Sequence, residues 1–381
     1  MTPLHLACKF GSEDTALLLI NSLDSTKLTN LILVDSTRGS SLPLHSACRI
    51  KSEKYTLVKS YLEKIRYEKQ FDKCLIKEDE CHQPILHISI ENNHCNIVET
   101  LFRDYNVNSE LRETITGNLP IHAAAKSGSI EMFNLLQKYD AVSFKQNKNL
   151  ENALHIAAYH NRNKFINEFL KYEKFCFSEH PDSNNKYFAC ACRCDLDDKN
   201  RIKCIKTRDI KLYTPLLTAL AASNQKCVEE LIEYDEALDL THTDINGNSM
   251  YHICAQFDNA ESLKYLYLKT NINNDVSIYE IKNNFDESIL HITSRNGNLE
   301  MTNYIVNKIY ETNERAEEVL FCKNKSGQTC FHVAANKGFF NLCEYFVKVS
   351  LKLDFVKRVI YFKYFDRKKN FINFYIMLIT I

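Results

Sequence analysis

The stretches Gly117-Asn-Leu-Pro-Ile-His-Ala-Ala-Ala-Lys-Ser-Gly128 and Gly327-Gln-Thr-Cys-Phe-His-Val-Ala-Ala-Asn-Lys-Gly338 decide the fold of this chain. In both, a histidine follows the first glycine by five residues and precedes the second glycine by six. Glycine tolerates positive φ, so the first glycine suits a tight turn and the second suits the C-terminus of a helix. Each stretch therefore predicts a turn, a short helix and a second turn.

Working outward, a short apolar segment that ends in histidine, or in one substitute, occurs nine times. The anchor positions are His5, His45, His87, His122, His155, Thr218, His252, His291 and His332. They are separated by 40, 42, 35, 33, 63, 34, 39 and 41 residues. A repeat near 33 residues that insertions lengthen predicts a solenoid rather than a globular enzyme core.

Glycine and proline support this periodicity. Seven of the eight glycines lie five residues before or six residues after an anchor histidine, and five of the six prolines lie two or three residues before an anchor. Proline is favoured in the first turn of a helix because its missing N–H needs no partner there. Thr2 and Thr214 directly precede a proline and are expected to be N-caps. The sixth repeat departs most, with Thr218 in place of histidine and Asn224 in place of the turn glycine.

A second helical pattern follows each turn, as Ile130, Met132, Phe133 and Leu136 illustrate in the fourth repeat. Such one-sided apolar stripes are typical of amphipathic helices. Each unit is thus predicted to be a short helix, a turn, a longer helix and a linking loop. One helix pair cannot cover its own apolar face, so neighbouring pairs must stack.

These residues resemble the pattern of ankyrin repeats over roughly residues 1–350. The resemblance implies an all-α solenoid of about nine antiparallel helix pairs joined by projecting β-hairpin loops. It implies that the anchor histidines bond to backbone and threonine hydroxyl groups at the helix start. It also implies that other proteins bind through the hairpin tips and the first helices. The candidate contact residues at the tips are Thr114, Thr116, Lys148, Asp244, Asn246 and Lys325.

The chain is expected to divide into four segments. Residues 1–172 hold repeats one to five, 173–210 are a cysteine-rich insertion, 211–350 hold repeats six to nine, and 351–381 are an aromatic and basic tail. The tail has three interpretations: an improvised cap, an interfacial segment, or the end of a truncated protein.

The insertion carries the cysteines that stand outside the repeat pattern: Cys190, Cys192, Cys194 and Cys204. Together with His180 they could close a four-coordinate zinc site, although the common Cys-x2-Cys spacing is missing. A mobile loop with incidental thiols and a redox-sensing thiol cluster are the alternatives. We expect no bound metal and no cofactor.

Bulk composition excludes several classes of protein. The 48 basic residues balance the 48 acidic ones, which argues against a nucleic-acid partner held by electrostatics. No apolar run is long enough for a membrane span, and no secretory signal precedes the first repeat. Fifteen scattered cysteines indicate a reducing, cytoplasmic setting. Neither a phosphate-binding glycine loop nor a nucleophile elbow is present, so we predict no enzyme.

The sequence therefore predicts a non-catalytic scaffold that binds other proteins. A second hypothesis starts from the irregular spacing, the cysteines and the abrupt end. In these features the chain looks similar to the N-terminal ankyrin array of A-subfamily transient receptor potential cation channels. On that hypothesis it would be a sensory arm truncated before the membrane domain, on the cytosolic face of a membrane.

Overall fold

The computed structural model describes residues 2–10, 12–22, 41–66, 71–142, 144–179, 204–235, 242–270, 280–312 and 316–352. Within these ranges the chain forms nine helix pairs, so the predicted all-α solenoid of stacked pairs is confirmed. The chain divides into two compact units, residues 1–242 and 243–381. Repeats 1–6 belong to the first unit and repeats 7–9 to the second.

The six helix pairs of the first unit follow one plan of a short helix and a longer helix. The first helices are Pro3–Phe10, Pro43–Cys48, Ile85–Glu91, Pro120–Ser127, Ala153–Tyr159 and Pro215–Ala221. The second helices are Glu13–Ser22, Tyr55–Ile65, Cys95–Arg103, Ile130–Lys138, Asn163–Glu179 and Gln225–Tyr234. A short helix, Phe71–Ile76, follows the second repeat. First helices pack on first helices of the next repeat, and second helices pack on second helices.

The second unit continues the same plan. Its first helices are Met250–Gln256, Ile289–Asn296 and Cys330–Lys337, and its second helices are Ala260–Thr270, Leu299–Thr312 and Phe340–Lys352. A short helix, Ala316–Leu320, precedes the last pair. In both units the loops that lead into the first helices carry isolated antiparallel bridges, Glu78 with Pro84 and Thr243 with Ser249, rather than longer ladders in the described residues.

The core lies between the helix layers of each unit. The residue directly before the anchor is buried in one repeat after another, as Leu4, Leu44, Leu86, Ile121 and Leu154 show. Burying a side chain of this size stabilises a fold by about 1.5–3 kcal/mol. A single pair cannot cover its own apolar surface, so the stacking of repeats completes the core.

The glycine predictions are confirmed by the backbone of the described residues, whereas Gly11 lies outside them. Gly117 before the fourth repeat and Gly128 after its first helix both have positive φ, +69° and +78°. Gly128 lies in the left-handed region and ends the helix, with its N–H donating to the Ala124 carbonyl.

The assignment of Thr218 as the sixth anchor is wrong, because the register is shifted by one residue. The Thr214 hydroxyl caps the helix by accepting from the Leu217 N–H, just as Thr329 accepts from the His332 N–H. Leu217 therefore occupies the histidine position, and the Thr218 hydroxyl donates to the Thr214 carbonyl instead.

The turn position of this repeat shifts in the same way. The residue with positive φ is Ser223, at +55°, and not Asn224. The Asn224 amide instead donates to the carbonyls of Ala158 and Tyr159, which end the first helix of the preceding repeat.

The insertion is described only at its two ends. The helix Asn163–Glu179 extends into the range that was predicted to be a loop, and a 3-10 turn forms at Cys204–Lys206. Cys204 is buried, and its N–H donates to the Glu173 carboxylate. Cys190, Cys192, Cys194 and His180 lie outside the described residues, as does the tail from residue 353 onward. The four segment boundaries stay a prediction.

Candidate functional site

Most anchor histidines are joined to the backbone through both ring nitrogens. At His122, Nδ1 accepts from the Leu119 N–H at 3.0 Å, and Nε2 lies 3.1 Å from the Glu151 carbonyl of the next repeat. Since a carbonyl only accepts, Nε2 carries the proton. The carbonyl partners of the other rings are Ser41 for His5, Lys77 for His45, Asn118 for His87, Tyr213 for His155, Glu287 for His252 and Gln328 for His291.

These bonds are the contacts that the ankyrin resemblance implies. Where a threonine or serine lies three residues before the histidine, its hydroxyl contacts Nδ1, as between Thr329 and His332 at 2.8 Å. Burial lowers the pKa of His122 to about 3 and that of His87 to about 4, so both rings are neutral near pH 7. Where Nδ1 accepts a hydrogen bond and Nε2 carries a proton, neither ring nitrogen has a free lone pair with which to bind a metal ion.

The described residues contain no group of three or more His, Cys, Asp or Glu side chains that could hold a metal ion. The eleven cysteines whose side chains the structure describes are free thiols. Burial raises the pKa of Cys48 to about 11 and that of Cys8 to about 12, so these thiols act as apolar core groups.

The loops that lead into the first helices, which we call the tips, are closed by a side-chain turn. In the sixth repeat the Asp209 carboxylate accepts from the N–H groups of Lys211 and Tyr213, at 2.8 and 2.7 Å. Asp or Asn makes the same turn eight residues before the anchor position at Asp79, Asn147, Asp209, Asp244, Asn283 and Asn324. This spacing is visible in the sequence, and it also identifies Leu217 as the sixth anchor.

The prediction that Asp244 is an exposed contact residue is wrong. Asp244 is only 5% exposed, and its carboxylate accepts from the N–H groups of Asn246 and Asn248. The other candidates remain accessible: Thr114, Lys148, Asn246 and Lys325 are exposed, and Thr116 is half-buried beside Glu113. Their role in binding stays a prediction.

Adjacent tips within each unit are joined by backbone hydrogen bonds. In the first unit the Lys148 N–H donates to the Thr116 carbonyl at 2.9 Å, and the Ile210 N–H donates to the Asn149 carbonyl at 3.0 Å. In the second unit Asn284 bonds to Asn246 and Lys325 bonds to Phe285 in the same register. Because these bonds hold neighbouring tips together, side chains on successive tips form one surface.

The tips of repeats 4–6 carry an exposed set of apolar side chains, which we call the apolar tip row. It consists of Ile115, Leu150, Ile210 and Leu212, which are 60%, 48%, 56% and 38% exposed. In the second unit Ile245 and Phe285 are exposed at the tips in the same way. Exposed apolar groups that lie together on one joined surface are typical of interaction sites. No pattern in the sequence marks these residues, because an isolated apolar residue in a loop has no periodicity.

Two members of the row adopt a backbone conformation that disfavours leucine. Leu150 has φ +59° and Leu212 has φ +62°. Gly117, Gly247 and Gly327 occupy the equivalent position of other tips, five residues before the anchor. A left-handed conformation costs a residue with a Cβ about 1 kcal/mol, so repeats 5 and 6 keep exposed leucines at a cost in stability.

The charges that accompany the apolar tip row are basic. Lys148, Arg208 and Lys211, the basic tip residues, are exposed. Among the acidic residues of the same loops, Asp209 closes its turn, Glu113 is buried and bonded to the amide of Asn118, and Glu151 is half-buried and bonded to the amide of Asn147. The fully exposed charged residues on the tips of repeats 5 and 6 are therefore basic, whereas Thr114 on the tip of repeat 4 bonds to the Glu78 carboxylate.

Comparison with known families supports the repeat assignment. A model of three ankyrin repeats matches residues 86–182, and a model of one ankyrin repeat matches residues 1–28. No curated protein matches the chain. The chain thus contains ankyrin repeats in an all-α solenoid, whereas the similarity to A-subfamily channels has no support from these matches. In the described part of the chain no helix is long and apolar enough to cross a membrane.

Proposed function

We propose that this protein is a non-catalytic scaffold whose ankyrin tips bind other proteins. The observation that carries the proposal is the apolar tip row, four exposed aliphatic side chains on three tips that backbone hydrogen bonds hold together. A folded protein leaves such groups in water at the expense of favourable burial, and a partner that covers them recovers about 25 cal/mol for each Å² of apolar area.

The first helices offer a less suitable surface. In repeats 3 and 4 their exposed groups pair with each other, since the Lys126 ammonium lies 2.9 Å from the Glu91 carboxylate. Exposed ion pairs contribute little to affinity, and a partner would have to desolvate both groups. The tips therefore support partner binding better than this part of the helical face.

The test is a quantitative capture experiment in cell extract. The double variant Ile115→Ser with Ile210→Ser removes two members of the row, and Leu18→Ser removes an exposed leucine from a second helix in repeat 1. We expect a set of captured proteins to be lost with the tip variant and retained with Leu18→Ser. Equal capture by the wild type and both variants would contradict the proposal. The cytoplasmic location expected from the thiols stays a prediction.

A further inference from the structure

We propose that the tips of repeats 4–6 bind a peptide segment in which acidic side chains alternate with apolar ones. This inference rests on the proposed function and adds the chemistry of the partner. It joins two independent observations on the tips of repeats 5 and 6: leucines retained in an unfavourable backbone conformation, and basic side chains exposed at the surface.

The leucines point to a ligand because the fold itself disfavours them. At the position five residues before the anchor, the described tips carry glycine three times, His82 in repeat 3 and Asp286 in repeat 8, and leucine only in repeats 5 and 6. Neither Leu150 nor Leu212 is a core residue, since both keep more than a third of their surface exposed. A requirement for an apolar group at this point explains the choice, whereas folding alone does not.

The basic tip residues specify the charge of the ligand. In the described part of the chain, Arg208 and Lys211 form no ion pair with a carboxylate, and the Lys148 ammonium bonds to the Thr114 carbonyl. Arg208, Ile210, Lys211 and Leu212 lie on one tip, so basic and apolar groups are interleaved along it. A ligand that complements this surface carries negative charges interleaved with apolar side chains.

A peptide fits this surface better than a nucleic acid. Nucleic acids that bind along a single strand stack their bases on aromatic rings, and the apolar tip row is made of isoleucine and leucine only. Aliphatic groups instead bury leucine, isoleucine or valine side chains of a partner.

Direct binding can be measured by fluorescence anisotropy on the full chain. The probe is a labelled decapeptide of alternating aspartate and leucine. The comparison probes are a decapeptide of alternating serine and leucine and a thymidine oligonucleotide of the same net charge. We expect the aspartate–leucine peptide to bind at least tenfold more tightly than both comparison probes, with an affinity that falls as salt is added.

Two double variants separate the contribution of the basic tip residues to binding from a general effect of net charge. Arg208→Glu with Lys211→Glu is expected to weaken binding of the aspartate–leucine peptide about tenfold. The matched control, Lys164→Glu with Lys226→Glu, makes the same change in net charge on the second helices of repeats 5 and 6 and should change Kd less than twofold. Equal losses in both variants would show a nonspecific charge effect and overturn the proposal.

The double variant Leu150→Gly with Leu212→Gly tests the contribution of the apolar side chains to peptide binding without the risk of unfolding. Glycine accepts the observed φ, so we expect an undiminished Tm together with about tenfold weaker binding. Absence of peptide binding, tight binding of the serine–leucine peptide, or preference for the oligonucleotide would each overturn the inference. If captured proteins still depend on Ile115 and Ile210 in that case, the scaffold function stands and only the partner chemistry is wrong.

Discussion

At the scale of a residue, Pro84 shows how a shift of one position changes a helix start. Pro43 and Pro120 lie inside the first turn of their helices, whereas Pro84 is the N-cap of the helix Ile85–Glu91. Proline has no N–H, so the buried Nδ1 of His87 has no hydrogen-bond partner in the described residues. The third repeat therefore lacks a bond that its neighbours have.

The substitution Pro84→Ser should stabilise the protein. Serine supplies an N–H to His87 Nδ1 and a hydroxyl that caps the helix, so the free energy of unfolding should rise by about 1 kcal/mol. Urea unfolding followed by circular dichroism measures the change. The matched control is Pro120→Ser, because the Leu119 N–H already donates to His122 Nδ1. We expect no gain in the control, and a similar gain in both variants would contradict the explanation.

At the scale of the element, the tip loops depend on close approach between neighbours. A Cβ at Gly117 would lie 2.8 Å from Lys148 Cγ and 3.2 Å from the Lys148 backbone nitrogen, which bonds to the adjacent tip residue. Gly327 has the same backbone conformation, φ +72°, with no atom within 4 Å of its Cβ position. The two glycines thus share a conformational requirement and differ only in their surroundings.

Alanine at these positions should separate conformational strain from steric contact. Gly327→Ala is expected to lower the free energy of unfolding by about 1 kcal/mol through its positive φ alone. Gly117→Ala should cost about 2–3 kcal/mol, because it also displaces Lys148 from the bond between tips. Chemical denaturation of both variants tests this difference. Equal losses would mean that the tip contact contributes nothing to stability.

The same elements show what the sequence could and could not predict. Glycine, proline and histidine mark the helix starts by local stereochemistry, so nine helix pairs were predictable. In the sixth repeat the polar residue Thr218 resembles a histidine substitute, whereas the hydrogen bonds of Asp209 and Thr214 fix the register on Leu217. The accessibility of Ile210 and the burial of Asp244 depend on how loops fold back on themselves and on adjacent tips, which no local pattern contains.

At the scale of the whole molecule, most anchor histidines form a repeated set of buried, neutral rings. Desolvation by burial lowers the pKa of His45, His155, His252, His291 and His332, in addition to His87 and His122. Most of these rings donate a hydrogen bond to a backbone carbonyl of the next repeat. The hydrogen bonds between repeats therefore depend on the same type of titratable group, the imidazole ring. Their effects on stability therefore act in the same direction across both units.

We expect this protein to unfold readily in mild acid. The folded-state pKa of each ring lies below its unfolded value near 6.5, so the stabilisation is complete above that pH and is lost as the pH falls toward about 4 for His87 and about 3 for His122. Each ring contributes up to about 1.4 kcal/mol per pH unit to the slope of the free energy of unfolding against pH.

Urea unfolding between pH 8 and pH 4 measures this slope. In His122→Gln, which has one ring fewer, the protein should be less stable at pH 8 and its stability should depend less on pH. Parallel curves for the two proteins would show that His122 does not contribute to the acid sensitivity.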